Sequence, residues 1–148
     1  MKHITALLCL LGISISIFSQ QNKRVLRPGD IYRLQTESDA SISPDGKWVA
    51  YTVSTIDSAK DKRNADIWMV SWDGKETVQL TNSPDGESSP RWSPDGKYIS
   101  FIASRPAGSS QVYLLDRRGG EGIKLTDVKG DLGSYSWSPD SKKLLLVM

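Results

Sequence analysis

Residues 89–104 read SPRWSPDGKYISFIAS, and the phrase recurs as DASISPDGKWVAYTVS at 39–54 and SYSWSPDSKKLLLVM at 134–148. The Ser-Pro-Asp triplets begin at Ser43, Ser93 and Ser138, spaced by 50 and 45 residues. Self-similarity at a period of this length marks a repeat architecture. A second pair of phrases, DIWMVSWDGKETVQLT at 66–81 and QVYLLDRRGGEGIKLT at 111–126, is offset by 45. Ile67 to Ser93 and Val112 to Ser138 are both 26 residues, so the whole difference between units falls in one connection, STIDSAKDKRNA against SRPAGSS. Length variation confined to one loop is how a repeated supersecondary unit behaves.

Each unit parses into four short strands. The first ends at a shared position held by Ile42, Trp92 or Trp137, and SPDG (SPDS in the third copy) follows as a turn. Proline sets φ at its second position, Asp bonds the local backbone, and Gly accepts positive φ. The second strand alternates: Val49, Tyr51 and Val53 match Ile99, Phe101 and Ala103, then Leu144, Leu146 and Met148. Period-two alternation at equivalent places predicts strands, with Val49, Tyr51, Ile99, Phe101, Leu144 and Leu146 on buried faces of an intact ring and Lys47, Lys97 and Lys142 exposed beside the turns. The third strand is IWMVS or VYLLD, and the fourth ends in Leu-Thr at 80–81 and 125–126. Four antiparallel strands in roughly 45 residues make the blade of an all-β propeller. Ser83-Pro84-Asp85-Gly86 repeats the turn motif without an alternating run behind it and is read as a connection between blades.

Met1 to Ser19 has the form of a secretory signal peptide: Lys2 and His3, then the uncharged run ITALLCLLGISISIF, then Ser19 ahead of Gln20. The run is shorter than the roughly 20 apolar residues of a spanning helix, and Cys9 lies mid-run rather than at the junction, so export with cleavage after Ser19 is expected, without a stable membrane span. The predicted organisation is a signal peptide at 1–19, a lead segment at 20–38 and a partial propeller at 39–148, with units 39–88, 89–133 and 134–148. Of 148 residues, 19 are Lys or Arg and 17 Asp or Glu, a balance that gives no electrostatic footprint for nucleic acid. The single His and single Cys, His3 and Cys9, both precede the junction. Residues 20–148 therefore offer no imidazole or thiol for a Ser-His-Asp or Cys-His triad, a zinc site, a disulfide or a haem ligand.

The pattern WSPDGKYISFIASR, with its VYLL strand and LT ending, resembles the TolB-type propeller repeat. The opening LRPGDIYRLQTESDASISPDGKWVAYTVSTID, followed by NADIWMVSWDGKETVQLTNS, is similar to the start of secreted prolyl oligopeptidase family serine peptidases, above all the acylaminoacyl-peptidase and dipeptidyl-peptidase-like members. The resemblance covers residues 26–148. It implies a non-catalytic propeller that gates peptide access to a C-terminal α/β-hydrolase domain carrying a Ser nucleophile on a G-x-S-x-G elbow. No such elbow is present: Gly12 to Ser16, Gly86 to Pro90 and Gly108 to Val112 each lack the second Gly. No catalytic, cofactor-binding or metal-ligating residue is therefore assigned, no cofactor is expected, and a peptide substrate is expected only through the missing domain. The alternatives are a TolB-like periplasmic protein-binding propeller and a propeller fused to another hydrolase.

Several residues invite sharper readings. Trp92 and Trp137 could form an aromatic platform, but their shared strand position predicts core packing. Asp45, Asp95 and Asp140 could bind cations, but no loop alternates oxygen ligands as a calcium site does, and turn formation is expected. Lys60 to Arg63, interrupted by Asp61 and flanked by Asp57 and Asp66, reads as a solvated loop. Glu37 and Asp39, ahead of the first turn, could face a substrate amine or belong to ordinary surface charge. Propellers close with four to eight blades. Two full units and 134–148 make about two and a half, so the sequence is expected to be the N-terminal portion of a longer protein or a truncated reading frame. The apolar face of Leu144, Leu146 and Met148 is then expected to stand uncovered.

Overall fold

The computed structural model describes residues 24–105 and 108–148. After a short 3-10 helix, Pro28–Arg33, ten strands follow: β1 (Thr36–Ile42), β2 (Trp48–Asp57), β3 (Lys62–Ser71), β4 (Thr77–Gln79), β5 (Glu87–Trp92), β6 (Tyr98–Ala103), β7 (Gln111–Asp116), β8 (Ile123–Lys124), β9 (Ser134–Trp137) and β10 (Leu144–Val147). They form three antiparallel sheets in sequential order, β1 to β4, β5 to β8, and the pair β9 with β10. Two four-stranded blades and the first half of a third make an open arc. The leader expected at 1–19 and its junction after Ser19 lie outside the described residues. Among the described residues no helix is long and apolar enough to cross a membrane.

The predicted turns build one hydrogen-bond circuit three times. The Ser43 hydroxyl donates to Asp45 Oδ1 (2.6 Å), which also accepts the Lys47 N–H (3.1 Å), while Ser43 Oγ accepts the Trp48 N–H (2.9 Å). Ser93, Asp95, Lys97 and Tyr98 repeat this, as do Ser138, Asp140, Lys142 and Lys143. Gly46 and Gly96 take φ of +68° and +70°, and Ser141 takes +59° at the third site. Ser83 to Gly86 lacks the circuit: there the Asp85 N–H donates to Ser83 Oγ.

The blades pack face to back through two seams. At seam 1/2, Ala50 of the first blade meets Trp92 and Ile99 of the second, and Ile67 meets Phe101, Ala103 and Tyr113. At seam 2/3, Ile102 and Val112 meet Leu132 and Tyr135, with Trp137, Leu144 and Leu146 packed around them. Strand β6 is consequently buried on both faces, from Ile99 to Ala103.

Two expectations about faces are corrected. Leu144 and Leu146 are covered by the second blade, and the open side of β10 is that of Leu145 and Val147, 68% and 51% exposed, with Met148 beyond it. In β2 the fully buried positions include Ala50 and Thr52, which face the second blade, whereas Val49 and Tyr51 are only half-buried. Alternation in sequence identifies a strand and its two faces, but which face is covered depends on where the neighbouring blade stands. The first strands also start before the predicted unit limits at 39 and 89, since β1 begins at Thr36 and β5 at Glu87.

Candidate functional site

The inner edge of the arc is formed by the first strands. The Ser89 N–H of β5 donates to Asp39 Oδ2 of β1 (3.3 Å), and the Tyr135 hydroxyl of β9 reaches the Ser89 carbonyl (2.9 Å). Both β1 and β5 carry a bulge where the register shifts, and Asp39 and Ser89 take φ of +55° there. The bulge in β1 brings Glu37 and Asp39 to one concavity of about 410 Å³, with Val49, Tyr51 and Val70 alongside. Burial, and then the Glu37 charge, raise the Tyr51 hydroxyl pKa. Two exposed carboxylates beside apolar and aromatic surface can hold an ammonium group with an apolar neighbour.

The equivalent of Glu37 in the second blade is Glu87, each opening an Glu-Ser pair six residues before its SPDG. Glu87 is 1% exposed. Its Oε2 accepts from the Thr81 hydroxyl (2.9 Å), and Thr81 Oγ1 accepts the Ile67 N–H (2.8 Å). Its Oε1 lies 3.2 Å from the Arg105 guanidinium, an ion pair without hydrogen-bond geometry. Arg105 also donates to Ser83 Oγ and stands over the Tyr113 ring, 5.1 Å from its centroid. Nearby, Asn64 Nδ2 donates to the Ser83 carbonyl (2.8 Å), and Asp66 is buried with Oδ1 unpartnered. Desolvation raises the pKa of both Asp66 and Glu87, and the neighbouring Asp66 charge adds to the rise at Glu87. A cavity of about 350 Å³ opens here between Thr81, Ser83, Glu87, Phe101 and Arg105.

The tryptophans serve the seams. Trp92 Nε1–H donates to the Ser41 carbonyl (3.0 Å) and Trp137 Nε1–H to Ser100 Oγ (2.8 Å), each reaching the preceding blade. Asp45, Asp95 and Asp140 have pKa values lowered first by the serine hydroxyls of their turns, as their structural part requires. Lys60 to Arg63 is exposed at the β2–β3 hairpin, where Lys60 pairs with Asp57 at 3.5 Å. Glu87 and Asp66 escape a reading by motif, because the groups gathered around them come from separate segments of two blades. Their signal is a difference between repeats: Asp66 and Glu87 stand where the next unit has Gln111 and Leu132.

Residues 33–148 match the TolB beta propeller domain family (PD40), and the chain belongs to it. An uncharacterized peptidase, YuxL, of Bacillus subtilis is 32% identical over 93 residues, covering 63% of this chain and 14% of that protein. Dipeptidyl-peptidase 5 of Porphyromonas gingivalis is 36% identical over 87 residues, covering 59% of this chain and 13% of that protein. The chain thus spans about one seventh of the length of these relatives. Among solved structures, a TolB protein from Agrobacterium tumefaciens aligns with a TM-score of 0.61 at 25% identity, over 75% of this chain and 38% of that one. The acylaminoacyl peptidase of Pyrococcus horikoshii aligns with 0.64 at 24% identity, over 78% of this chain and 18% of that one, a likeness of fold.

Proposed function

We propose that the chain is the gating propeller portion of an exported serine peptidase of the prolyl oligopeptidase family, limiting access of peptides to a hydrolase domain carried elsewhere on the polypeptide. The observation that carries this reading is the similarity of a family propeller to the relatives named as peptidases, each matched over a small part of its length. The inner edge supports it, since β1 is exposed along nearly its whole length and presents Glu37 and Asp39. In this reading the two carboxylates favour peptides with a cationic end at the mouth of the ring. Export rests on the leader at 1–19. A reporter fused after Gln21 should leave the cytoplasm with a new N-terminus near Gln20, and an intact N-terminus held in the membrane fraction would contradict it.

The test of gating uses the full polypeptide encoded by the gene. It should carry a G-x-S-x-G serine that a fluorophosphonate labels, cleave short peptides and spare folded proteins. Removing the propeller should widen the size of substrate accepted. Labelling without any size restriction would reject the gating role. The likeness to TolB favours a second reading, a periplasmic protein-binding propeller. It requires an encoded polypeptide without a hydrolase elbow that retains envelope proteins uncleaved.

A further inference from the structure

A cavity of about 350 Å³ lies between the first two blades and shares no lining residue with the Glu37–Asp39 concavity. Its wall carries both signs of charge, the carboxylates of Glu87 and Glu121 and the guanidinium of Arg105. The Thr81 hydroxyl holds Glu87 Oε2 at 2.9 Å, which leaves Oε1, buried and without a hydrogen-bond donor, to the cavity. Arg105 stands 3.2 Å from that oxygen and also donates to Ser83 Oγ, both through Nη1. A guanidinium fork presents further N–H groups, and a carboxylate is the anion whose geometry it matches. Phe101 supplies an apolar wall.

The fold itself does not require these charges, since seam 2/3 has Leu132 in the place of Glu87 and packs it in an apolar cluster. A buried carboxylate oxygen without a donor is costly, and a ligand that brings an N–H offsets that cost. A simple cation would be opposed by Arg105, and a simple anion by Glu87, Glu121 and Asp66, whose charge already bears on Glu87. A molecule carrying both charges meets neither objection. We propose that this cavity binds a free α-amino acid as its zwitterion, the ammonium group donating to Glu87 Oε1 and the carboxylate seated on Arg105. Glu87 is 1% exposed and Arg105 one-third exposed, so the ammonium end lies innermost. The volume falls at the lower end of small-molecule sites, roughly 300 to 1,000 Å³, and restricts the ligand to a small side chain.

The test is isothermal titration calorimetry on the full polypeptide encoded by the gene, with any reactive serine first blocked by a fluorophosphonate. L-Alanine is the probe, and ethylamine and propionate present its two charged ends separately. L-Alanine should bind saturably, with each half-ligand at least tenfold weaker. Glu87→Gln, which keeps the shape and removes the charge, and Arg105→Lys, which keeps the charge and removes the fork, should each weaken L-alanine at least tenfold. Should Glu87→Gln lose its β-sheet circular dichroism, Glu87→Leu replaces it, since it copies the Leu132 arrangement. Absence of saturable L-alanine binding, a half-ligand that binds as tightly as L-alanine, or undiminished affinity in either folded variant would each overturn the proposal.

Discussion

Seams 1/2 and 2/3 share a frame and differ in what fills it. In both, a Leu-Thr threonine accepts a backbone N–H from the third strand, Ile67 to Thr81 and Val112 to Thr126. The hydroxyl protons then part company. Thr81 donates forward to the buried Glu87 carboxylate, whereas Thr126 donates back to Gln111 Oε1 (2.8 Å). Gln111 is fully bonded, taking the Val128 N–H at 3.1 Å and giving its own protons to Ser109 Oγ and the Val128 carbonyl. Its counterpart Asp66 keeps an unpartnered buried oxygen, and the counterpart of Glu87 is Leu132. Seam 2/3 pairs its buried amide completely and keeps its carboxylate, Asp131, exposed and bonded to Ser110, whereas seam 1/2 carries two desolvated carboxylates beside a cavity. Since incompletely paired buried charges destabilise and satisfied amides do not, seam 1/2 is the joint at which this arc opens first.

The largest test of that comparison is Phe101→Ala. Phe101 is fully buried in seam 1/2, stacked on Tyr113 at 5.9 Å, and its Cζ stands 2.9 Å from where a Cβ on Gly122 would be. The truncation should cost about 3 to 5 kcal/mol in urea unfolding, against under about 0.5 for Lys97→Ala at the exposed turn. Hydrogen exchange should place the loss at the Ile67 and Leu80 amides, with the Val112 amide of the other seam keeping more of its protection. Equal losses on both sides would mean that the seams form one cooperative unit.

Next in size is the ion pair. Arg105→Ala strands Glu87, and the cost at neutral pH should be about 2 kcal/mol, below the usual value for a fully buried pair because Arg105 is one-third exposed. Glu87→Leu copies the Leu132 arrangement and should change stability by under about 1 kcal/mol. The pH dependence has a definite sign. Asp66 and Glu87 have folded pKa values above their unfolded ones, so the folded state binds more protons in that interval, and seam 1/2 strengthens as pH falls from neutrality toward the ordinary carboxylate range near ~4. Below that range the turn aspartates, with lowered values, protonate and release their circuits. Protection of the Ile67 amide should therefore rise between neutrality and that range while that of Val112 stays level, since Gln111 and Leu132 do not titrate. A parallel rise at both would remove the carboxylates as its cause.

The repeat, its turns and its strands were legible because each is encoded within about six residues: Ser43, Asp45 and Gly46 specify a turn without reference to anything distant. Trp92 and Trp137 were legible as core from recurrence alone. The covered faces of β2 and β10 were not, because both faces of a propeller strand can be apolar and only the neighbouring blade decides between them. Glu87 was missed for a related reason. Its partners Thr81 and Arg105 and its neighbour Asp66 come from two blades, and the substitution of Leu132 in the next unit hides the position from a search for sameness. Glu37, open to a substrate amine or to ordinary surface charge when read in sequence, shares its strand position with a residue that serves a seam.

Seam 2/3 has its own weak point at Ser100, fully buried where the first blade has Ala50. Its hydroxyl accepts from Trp137 Nε1 and lies 2.9 Å from the Tyr135 hydroxyl and 3.1 Å from the Arg91 carbonyl. Ser100→Ala leaves the Trp137 N–H without its acceptor, and should cost about 1 to 2 kcal/mol, while the Tyr135 hydroxyl retains the Ser89 carbonyl. The loss should appear at the Leu132 amide and leave Ile67 unchanged, the reverse of the Phe101 pattern.

The smallest effect sits where the turns of neighbouring blades touch. At seam 1/2 the contact is apolar, the site of a Cβ on Gly96 lying 3.8 Å from Pro44 Cδ. At seam 2/3 the equivalent of Gly96 is Ser141, whose hydroxyl accepts the Asp95 N–H at 3.0 Å while its own φ is +59°. A side chain in the left-handed region costs about 1 kcal/mol, and a hydrogen bond of this kind returns about the same. Ser141→Gly removes both terms and should leave stability within about 0.5 kcal/mol. Ser141→Ala keeps the strained backbone and discards the bond, so it should cost about 1 kcal/mol. Ser141→Asn tolerates the conformation and offers another acceptor, and should be at least as stable as the parent. If alanine proves as stable as glycine, the Asp95 bond contributes nothing and the third turn differs from the others only in strain.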